Sequence, residues 1–431
     1  MPNAPRLVGP RGQLYADPQP APGALTFQED NTSADYYMSP YFLAHKNQVQ
    51  PIPVRHGSAP LQLEEFIPAT LMEAIRRSGQ IAFHAAADTG AARLMRSQVA
   101  DAMAHELEQQ GVAGPAFLFN LGDVIYHGGE AQGYYEQFYQ PFRGYDRPIF
   151  AIPGDQDATV FGSASAAHKG ASLGAFRGNF CAQSPGRSPD APGIMRSVMT
   201  QPGVYFTLDA PFVSVIGLYS NALEGPGIIS SQGGHYPLSD EQLTFLKSEL
   251  SRLRAPREAR EQAIVLALHH PPLSIDAVRG GSTGLAADLN ECFTAAGIWP
   301  DAVLCGHAHL YQRFTHTTSA HQEIPFVVAG SGGSAELCAV AAPPPPGTSI
   351  GPDRLEVAPI AEHGFLTITS TAEELSVRFS TVSAAGVTER DLVIVDLIRG
   401  RIRGGGGGNH RPTRTPSRPA LRRGSRLSAR G

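Results

Sequence analysis

Five short apolar runs in this chain each end in side chains that bind metal ions or move protons. Ile81–Ala87 runs into Asp88, and Ala116–Leu121 into Gly122-Asp123. Pro148–Ile152 runs into Pro153-Gly154-Asp155, Ala263–Leu268 into His269-His270, and Asp301–Leu304 into Cys305-Gly306-His307-Ala308-His309. Asp and His are ligand types suited to zinc, iron and manganese. A single Asp after a strand is ordinarily a turn or a helix cap. Recurrence at five strand ends, in chain order, points instead to one shared site, a two-metal centre with Asp123 in its middle. Asp123 and Tyr126 lie three apart, so a helical turn after the strand would put both oxygens on one side. In an extended His-x-His segment residues i and i+2 point the same way, so His307 and His309 can face one site. Of the adjacent pair His269-His270, only one can.

The elements that must position these residues are legible around them. Apolar runs this short, closed by Gly, Asp or Pro, predict buried strands. Between the first two, Met95, Val99, Met103 and Leu107 recur at helical spacing and Gly111 follows, so strand, helix and strand predict a parallel pair with a crossover. Tyr134, Tyr135, Phe138, Tyr139 and Phe142 predict a helix with an aromatic face. Residues 161–200 are rich in Gly, Ser, Ala and Pro and read as a long, lid-like loop. Val204–Leu208 and Phe212–Tyr219 predict a hairpin, and Ser239 with Gln242 a capping box before a leucine-rich helix. Ile324–Ala329 predicts a strand ending in a tight turn at Gly330–Gly333. Pro343–Pro346 is a connector, and Phe365–Thr369, Leu375–Ser380 and Leu392–Ile398 predict closing sheet strands. Ligands at the carboxyl ends of strands lie where open α/β sheets place their sites.

The 431 residues, 42% of them hydrophobic, are enough for one large core. Residues 1–75 read as an extended or partly disordered arm whose Tyr36, Tyr37, Tyr41 and Phe42 can dock on the body. Residues 76–398 read as the domain, and 399–431 as a Gly/Arg-rich tail without acids, solvated and disordered. A net charge of -5 removes nucleic acid from the expected partners. The four cysteines form no CxxC pair, which argues against structural zinc and a disulfide framework. No apolar run approaches the ~18 residues of a membrane span, and no secretory signal opens the chain, so a cytoplasmic location is expected. Oligomeric state is left open. Gly280-Gly281-Ser282-Thr283-Gly284 matches the serine-hydrolase elbow, but a polar loop precedes it where an apolar strand is required, so Ser282 is a remote alternative. No G-x-G-x-x-G follows the early strands, which excludes a dinucleotide fold.

The segments ADTG (87–90), GDVIY (122–126), PGDQD (153–157), LHHPP (268–272) and GHAHLYQR (306–313) together resemble the five motifs of calcineurin-like metallophosphoesterases. Tyr126, and the absence of His two residues after Asp88, resemble the purple acid phosphatase branch. The resemblance implies an αββα sandwich of two mixed sheets flanked by helices. It implies a first metal, often iron, on Asp88, Tyr126 and His309, and Asp123 bridging to a second. The second ion, often zinc, iron or manganese, would sit on Asp155, His269 and His307. The implied activity is hydrolysis of small-molecule phosphate mono- or diesters by water activated between the two ions.

The third motif departs from the usual Gly-Asn-His-Asp/Glu. Asp155 puts a carboxylate where a neutral amide is usual. At ~4–5 Å and an effective dielectric near 20, one added charge is worth about 3–4 kcal/mol against an anion. Gln156 stands where the family has a His that contacts phosphate and assists the leaving group, and an amide cannot transfer that proton. Gln156 and His270 are the expected substrate contacts, and His127, His168, His235 and His270 are the histidines left to replace the missing one. A metal-binding relative with weakened catalysis, acting as a binding or regulatory module, is therefore the alternative. Specificity is expected from the 161–200 and 221–237 segments and the arm.

Overall fold

The computed structural model describes residues 25–46, 51–90, 93–159, 172–220, 225–276, 279–338 and 340–403. His168 and part of the expected lid, residues 221–224 of the second loop, and the tail from 404 lie outside them.

Two mixed sheets stack face to face. In the seven-stranded sheet, Gln80–Ala86, Leu118–Asn120 and Ile149–Ala151 run parallel. The antiparallel strands Gly364–Thr371, Glu374–Ser383, Gly386–Asp396 and Arg401–Ile402 continue from Gln80–Ala86. In the nine-stranded sheet, Phe212–Gly217, Gln262–Ala267, Ala302–Cys305 and Glu323–Ala329 form the parallel centre. Leu61–Gln62 and Phe206–Ala210 flank one side, and Tyr311–Thr317, Asp353–Ile360 and Ser349–Ile350 the other.

The continuous apolar runs are explained by burial on both faces. Ile81, Phe83, Ala85, Val265 and Leu304 point into the core between the sheets. Ala86, Leu118, Ile264, Leu266 and Val303 point outward beneath helices. Helix Arg93–Gln110 covers one outer face with Val99, Met103 and Leu107, and helices Glu241–Glu258 and Thr283–Ala296 cover the other with Leu246, Leu250, Leu289 and Phe293. The result is the expected four-layer αββα sandwich. Tyr311 and Phe379 stack across the sheets at 3.9 Å between ring centroids, a contact worth about 0.5–1.5 kcal/mol beyond its burial.

Three local expectations are corrected. Residues 131–144 form short turns, Ala131–Gly133, Tyr135–Tyr139 and Pro141–Gly144, rather than one α-helix. Pro141 interrupts the ladder, although Tyr134, Phe138, Tyr139 and Phe142 are buried as an aromatic cluster. The described part of 161–200 is not all loop, because Gly174–Phe180 is a helix whose Phe176 and Phe180 are buried. The capping box does not form: Asp240 occupies the N-cap. Buried Gln242 instead accepts from the Tyr219 N–H at 2.8 Å and donates to its carbonyl at 2.7 Å.

The arm segment from Leu25 crosses the nine-stranded side. Phe27 packs edge-on against Phe314, and Glu29 exchanges backbone bonds with Gly281 and Thr283. Tyr36, Tyr37 and Phe42 pack on Tyr236 and Ile228. No helix among the described residues is long and apolar enough to cross a membrane.

Candidate metal centre

The parallel strands of both sheets deliver their carboxyl ends to one place, and the loops that follow them interlock. Asp88 and Asp123 both have left-handed backbones, φ 58° and 54°. The Asp88 N–H donates to the Gly122 carbonyl at 2.9 Å. Gly122, at φ 106°, lies so close to the His269 ring that a Cβ would sit 2.5 Å from Nδ1, so only glycine fits. The helical turn expected after Asp123 is absent. The Val124 and Ile125 N–H groups donate to the buried Asp157 carboxylate at 3.1 and 3.3 Å, not to preceding carbonyls. Asp157 also accepts from Gly154 N–H and so ties the second and third strand ends together. Burial pushes its carboxyl up to about 6.

Asp88 Oδ1 accepts from the Tyr126 hydroxyl at 2.7 Å and lies 3.2 Å from His309 Nε2. Tyr126 Oη is 3.1 Å from the same nitrogen. Asp88 Oδ2 accepts from the His307 N–H at 2.9 Å. Across the site, Asp155 Oδ1 lies 3.1 Å from both His269 Nε2 and His307 Nδ1. Asp123 sits between the two groups. Its Oδ1 accepts from Gln156 N–H at 2.9 Å and lies 3.5 Å from His269 Nε2. His307 is not extended (φ 65°). It turns toward Asp155 while His309 turns toward Asp88, so the pair faces the site from two sides.

Two sets of three residues offer ligand atoms within 4.8 Å of one another: Asp88 with Asp123 and His269, and Asp155 with His270 and His307. Burial, reinforced by Asp155, pushes the Asp123 carboxyl well up. Burial acts the same way on Asp155, but His307 and His269 outweigh it and hold that carboxyl well below the usual range. Burial pulls His269 down, yet Asp123, Asp155 and Asp88 carry it up to about 10. Burial and then Asp123 and Asp88 push the Tyr126 phenol well up. A bound cation inverts this local charge logic.

The histidine orientations suit metal binding. His269 Nδ1 lies 2.9 Å from the Leu121 carbonyl and His309 Nδ1 2.8 Å from the Glu336 carbonyl. A carbonyl only accepts, so each Nδ1 carries a proton and each Nε2 is the nitrogen turned to the site, the one a cation would claim in the second-shell arrangement of metal-ligating histidines.

Gln156 is at the site, but its Nε2 donates to Asp155 Oδ2 at 2.9 Å. Of the replacement histidines among the described residues, His270 is placed at the site, so both members of the His269-His270 pair reach it, not one as expected. His235 stacks on Tyr37 at 3.6 Å, and His127 is exposed beside Tyr126. The serine-hydrolase alternative is overturned. Ser282 is a buried helix N-cap that accepts from Leu285 N–H and Asn31 and donates to the Gly227 carbonyl, and no imidazole bonds it among the described residues.

Sequence reasoning missed Gln137, whose amide grips the Tyr126 backbone at both N–H and carbonyl. It also missed Arg279, which donates to Cys338 Sγ at 2.9 Å, beside the backbone of His309, and Ser220, which bonds His270. Ser220 had a signal, since it follows the apolar Phe212–Tyr219 run as Asp88 and Asp123 follow theirs. Gln137 and Arg279 had none.

Residues 84–311, more than half of the chain, match the calcineurin-like phosphoesterase family. The chain belongs to that family. Among solved structures, it is similar to GAP50, the anchor in the inner membrane complex of Plasmodium, at 13% identity and TM-score 0.46 over 72% of this chain and 89% of that one. It is similar to PhoD at 12% identity and TM-score 0.48 over 84% of this chain and 74% of that one. Vps29 from Cryptosporidium parvum matches at 10% identity and TM-score 0.31 over 74% and 98%. No curated protein matches the sequence.

Proposed function

We propose that the chain is a metal-dependent phosphoesterase that hydrolyses small-molecule phosphate mono- or diesters and is purple acid phosphatase-like in its ligand set. Asp88, Tyr126 and His309 would hold a first ion, an iron. Asp155, His269 and His307 would hold a second, a zinc, iron or manganese, with Asp123 between them. The observation that carries this reading is the meeting of three buried carboxylates with a phenol and imidazoles whose Nε2 atoms are turned inward. The donor set fits such ions. When bound, the pair supplies Lewis acidity and an activated water.

The chain's own residues do the rest. The Gly122 and Gly154 turns fix Asp123, and the Gln156 N–H orients its carboxylate. Carbonyls behind His269 and His309 hold their rings. Gln156 and His270 line the place for the phosphate.

One observation favours a second reading, a metal-binding module with weakened catalysis. Gln156 turns one of its two amide hydrogens to Asp155, and an amide cannot transfer a proton, so the altered motif offers no acid to a leaving group. The test is turnover of a nitrophenyl phosphate monoester and diester by protein loaded in turn with iron, zinc and manganese. Metal-dependent turnover lost in Asp123→Ala supports the first reading. Turnover only in the Asp155→Asn/Gln156→His double variant supports the second.

A further inference from the structure

Three buried histidines face the centre, and what stands behind each differs. His269 and His309 are backed by carbonyls, which force the proton onto Nδ1. His270 is backed by a hydroxyl. Ser220 Oγ accepts the His270 backbone N–H at 2.9 Å and lies 3.1 Å from His270 Nδ1. The hydroxyl has one hydrogen, and His270 Nδ1 is the acceptor within its reach among the described residues. Spending that hydrogen on Nδ1 leaves Nδ1 unprotonated and puts the neutral ring's proton on Nε2, whereas the opposite tautomer leaves the hydroxyl hydrogen without an acceptor among the described residues. That nitrogen is buried and has no hydrogen-bond partner among the described residues.

An unpartnered buried donor of this kind is destabilising unless something binds it. The ring cannot swing away to water. Gly227 lies against it, so close that a Cβ there would sit 2.5 Å from His270 Cγ, and the His307 ring centroid is 4.2 Å away. His270 also has a ring nitrogen within 4.8 Å of ligand atoms on Asp155 and His307. Distance alone would make it a ligand of the second ion. A protonated Nε2, however, has no lone pair to give a cation.

We infer that Ser220 fixes the tautomer of His270 so that Nε2–H is a hydrogen-bond donor to a tetrahedral oxyanion at the centre, and that His270 is not a metal ligand. This rests on the proposed phosphoesterase site and gives His270 the role of a hydrogen-bond donor there. Ser220 is a positioning residue that acts through His270.

The test uses the full chain with ¹⁵N-labelled histidine, metal-free and zinc-loaded, with His270→Gln identifying the His270 signals. Long-range proton–nitrogen spectra should show His270 protonated at Nε2 in both states. Ser220→Ala should lose that fixed pattern, and Ser220→Thr should restore it. In zinc-loaded protein, the affinity for inorganic phosphate should fall roughly 10–100-fold in His270→Ala and partly in Ser220→Ala, with zinc content unchanged. A proton on Nδ1 with Nε2 shifting on zinc addition would make His270 a ligand and overturn the inference, as would unchanged phosphate affinity in both variants. The tautomer read on the natural chain decides the matter if a variant fails to fold. A chain that binds no zinc counts against the proposed function, while its metal-free tautomer still decides the role of Ser220.

Discussion

Buried carboxylates in this protein live in two kinds of surroundings. Away from the centre, Asp301, Asp209 and the half-buried Asp391 each have an arginine. Asp301 takes a forked contact from Arg257 at 2.6–2.9 Å and the Ile264 N–H at 2.8 Å. Asp209 takes both Arg252 amino groups at 3.0 and 3.1 Å, and Asp391 takes Arg313 at 2.6 and 3.1 Å. At the strand ends, Asp88, Asp123 and Asp155 stand together, and no Lys or Arg side chain bonds any of them among the described residues. Their partners are imidazoles, a phenol, Gln156 and backbone N–H groups. An arginine pair completes a buried charge. The centre is built short of cations, and the difference sets it apart as the candidate place to receive them.

The largest effect expected from breaking that distinction is loss of function. Asp123→Ala, or removal of metal with a chelator, should reduce nitrophenyl phosphate hydrolysis to background, and only the chelated natural protein should recover when metal is returned. Restoring the usual third motif by Asp155→Asn/Gln156→His should raise turnover by roughly 10²–10⁴-fold if the lost imidazole is a proton donor. A steady-state kcat for both proteins at saturating metal reads this directly.

Stability separates the two kinds of carboxylate. Asp301→Ala leaves Arg257 buried and unpaired and should cost about 3–5 kcal/mol in urea unfolding. Asp123→Asn in metal-free protein should cost nothing or stabilise, because burial and Asp155 already push that carboxyl well up. The same variant should lose the stabilisation that metal gives the natural chain, about 4 kcal/mol at a thousandfold excess over Kd.

The smallest effect concerns Glu106, which lies between His84 and Arg378. Burial raises its carboxyl, but His84 and Arg378 outweigh it and bring it to about 2 from an ordinary 4.5. A depressed carboxyl contributes stability above its unfolded value and loses it as pH falls toward the folded one. Glu106→Gln should therefore flatten the unfolding free energy between about pH 4.5 and 2 and change little of its slope at higher pH.

The strand ends were readable because each packs into a two-faced core and so leaves a short apolar run with a polar terminus. Asp88, Asp123, Asp155, His269 and His309 all lie at such ends, and the structure brings them together. What the pattern hid were contacts with no periodicity. Gln242 looks like a capping-box residue, yet it is buried against Tyr219 because the tertiary site offers both an N–H and a carbonyl. The turn after Asp123 looks helical by spacing, but Asp157, over thirty residues away in sequence, takes its N–H groups. The aromatic segment at 134–142 has helical spacing, and Pro141 breaks the ladder. The tautomer of His270 depends on a serine fifty residues earlier, a relation that spacing does not reveal.

The most direct test of the central claim is metal stoichiometry with thermal unfolding, on the natural chain and on Asp123→Ala, titrated in turn with zinc and manganese. A two-ion centre should bind two equivalents in the natural chain and raise its unfolding temperature, with both the tight stoichiometry and the shift lost in the variant. Equal metal content and equal unfolding temperatures in the two proteins would contradict it.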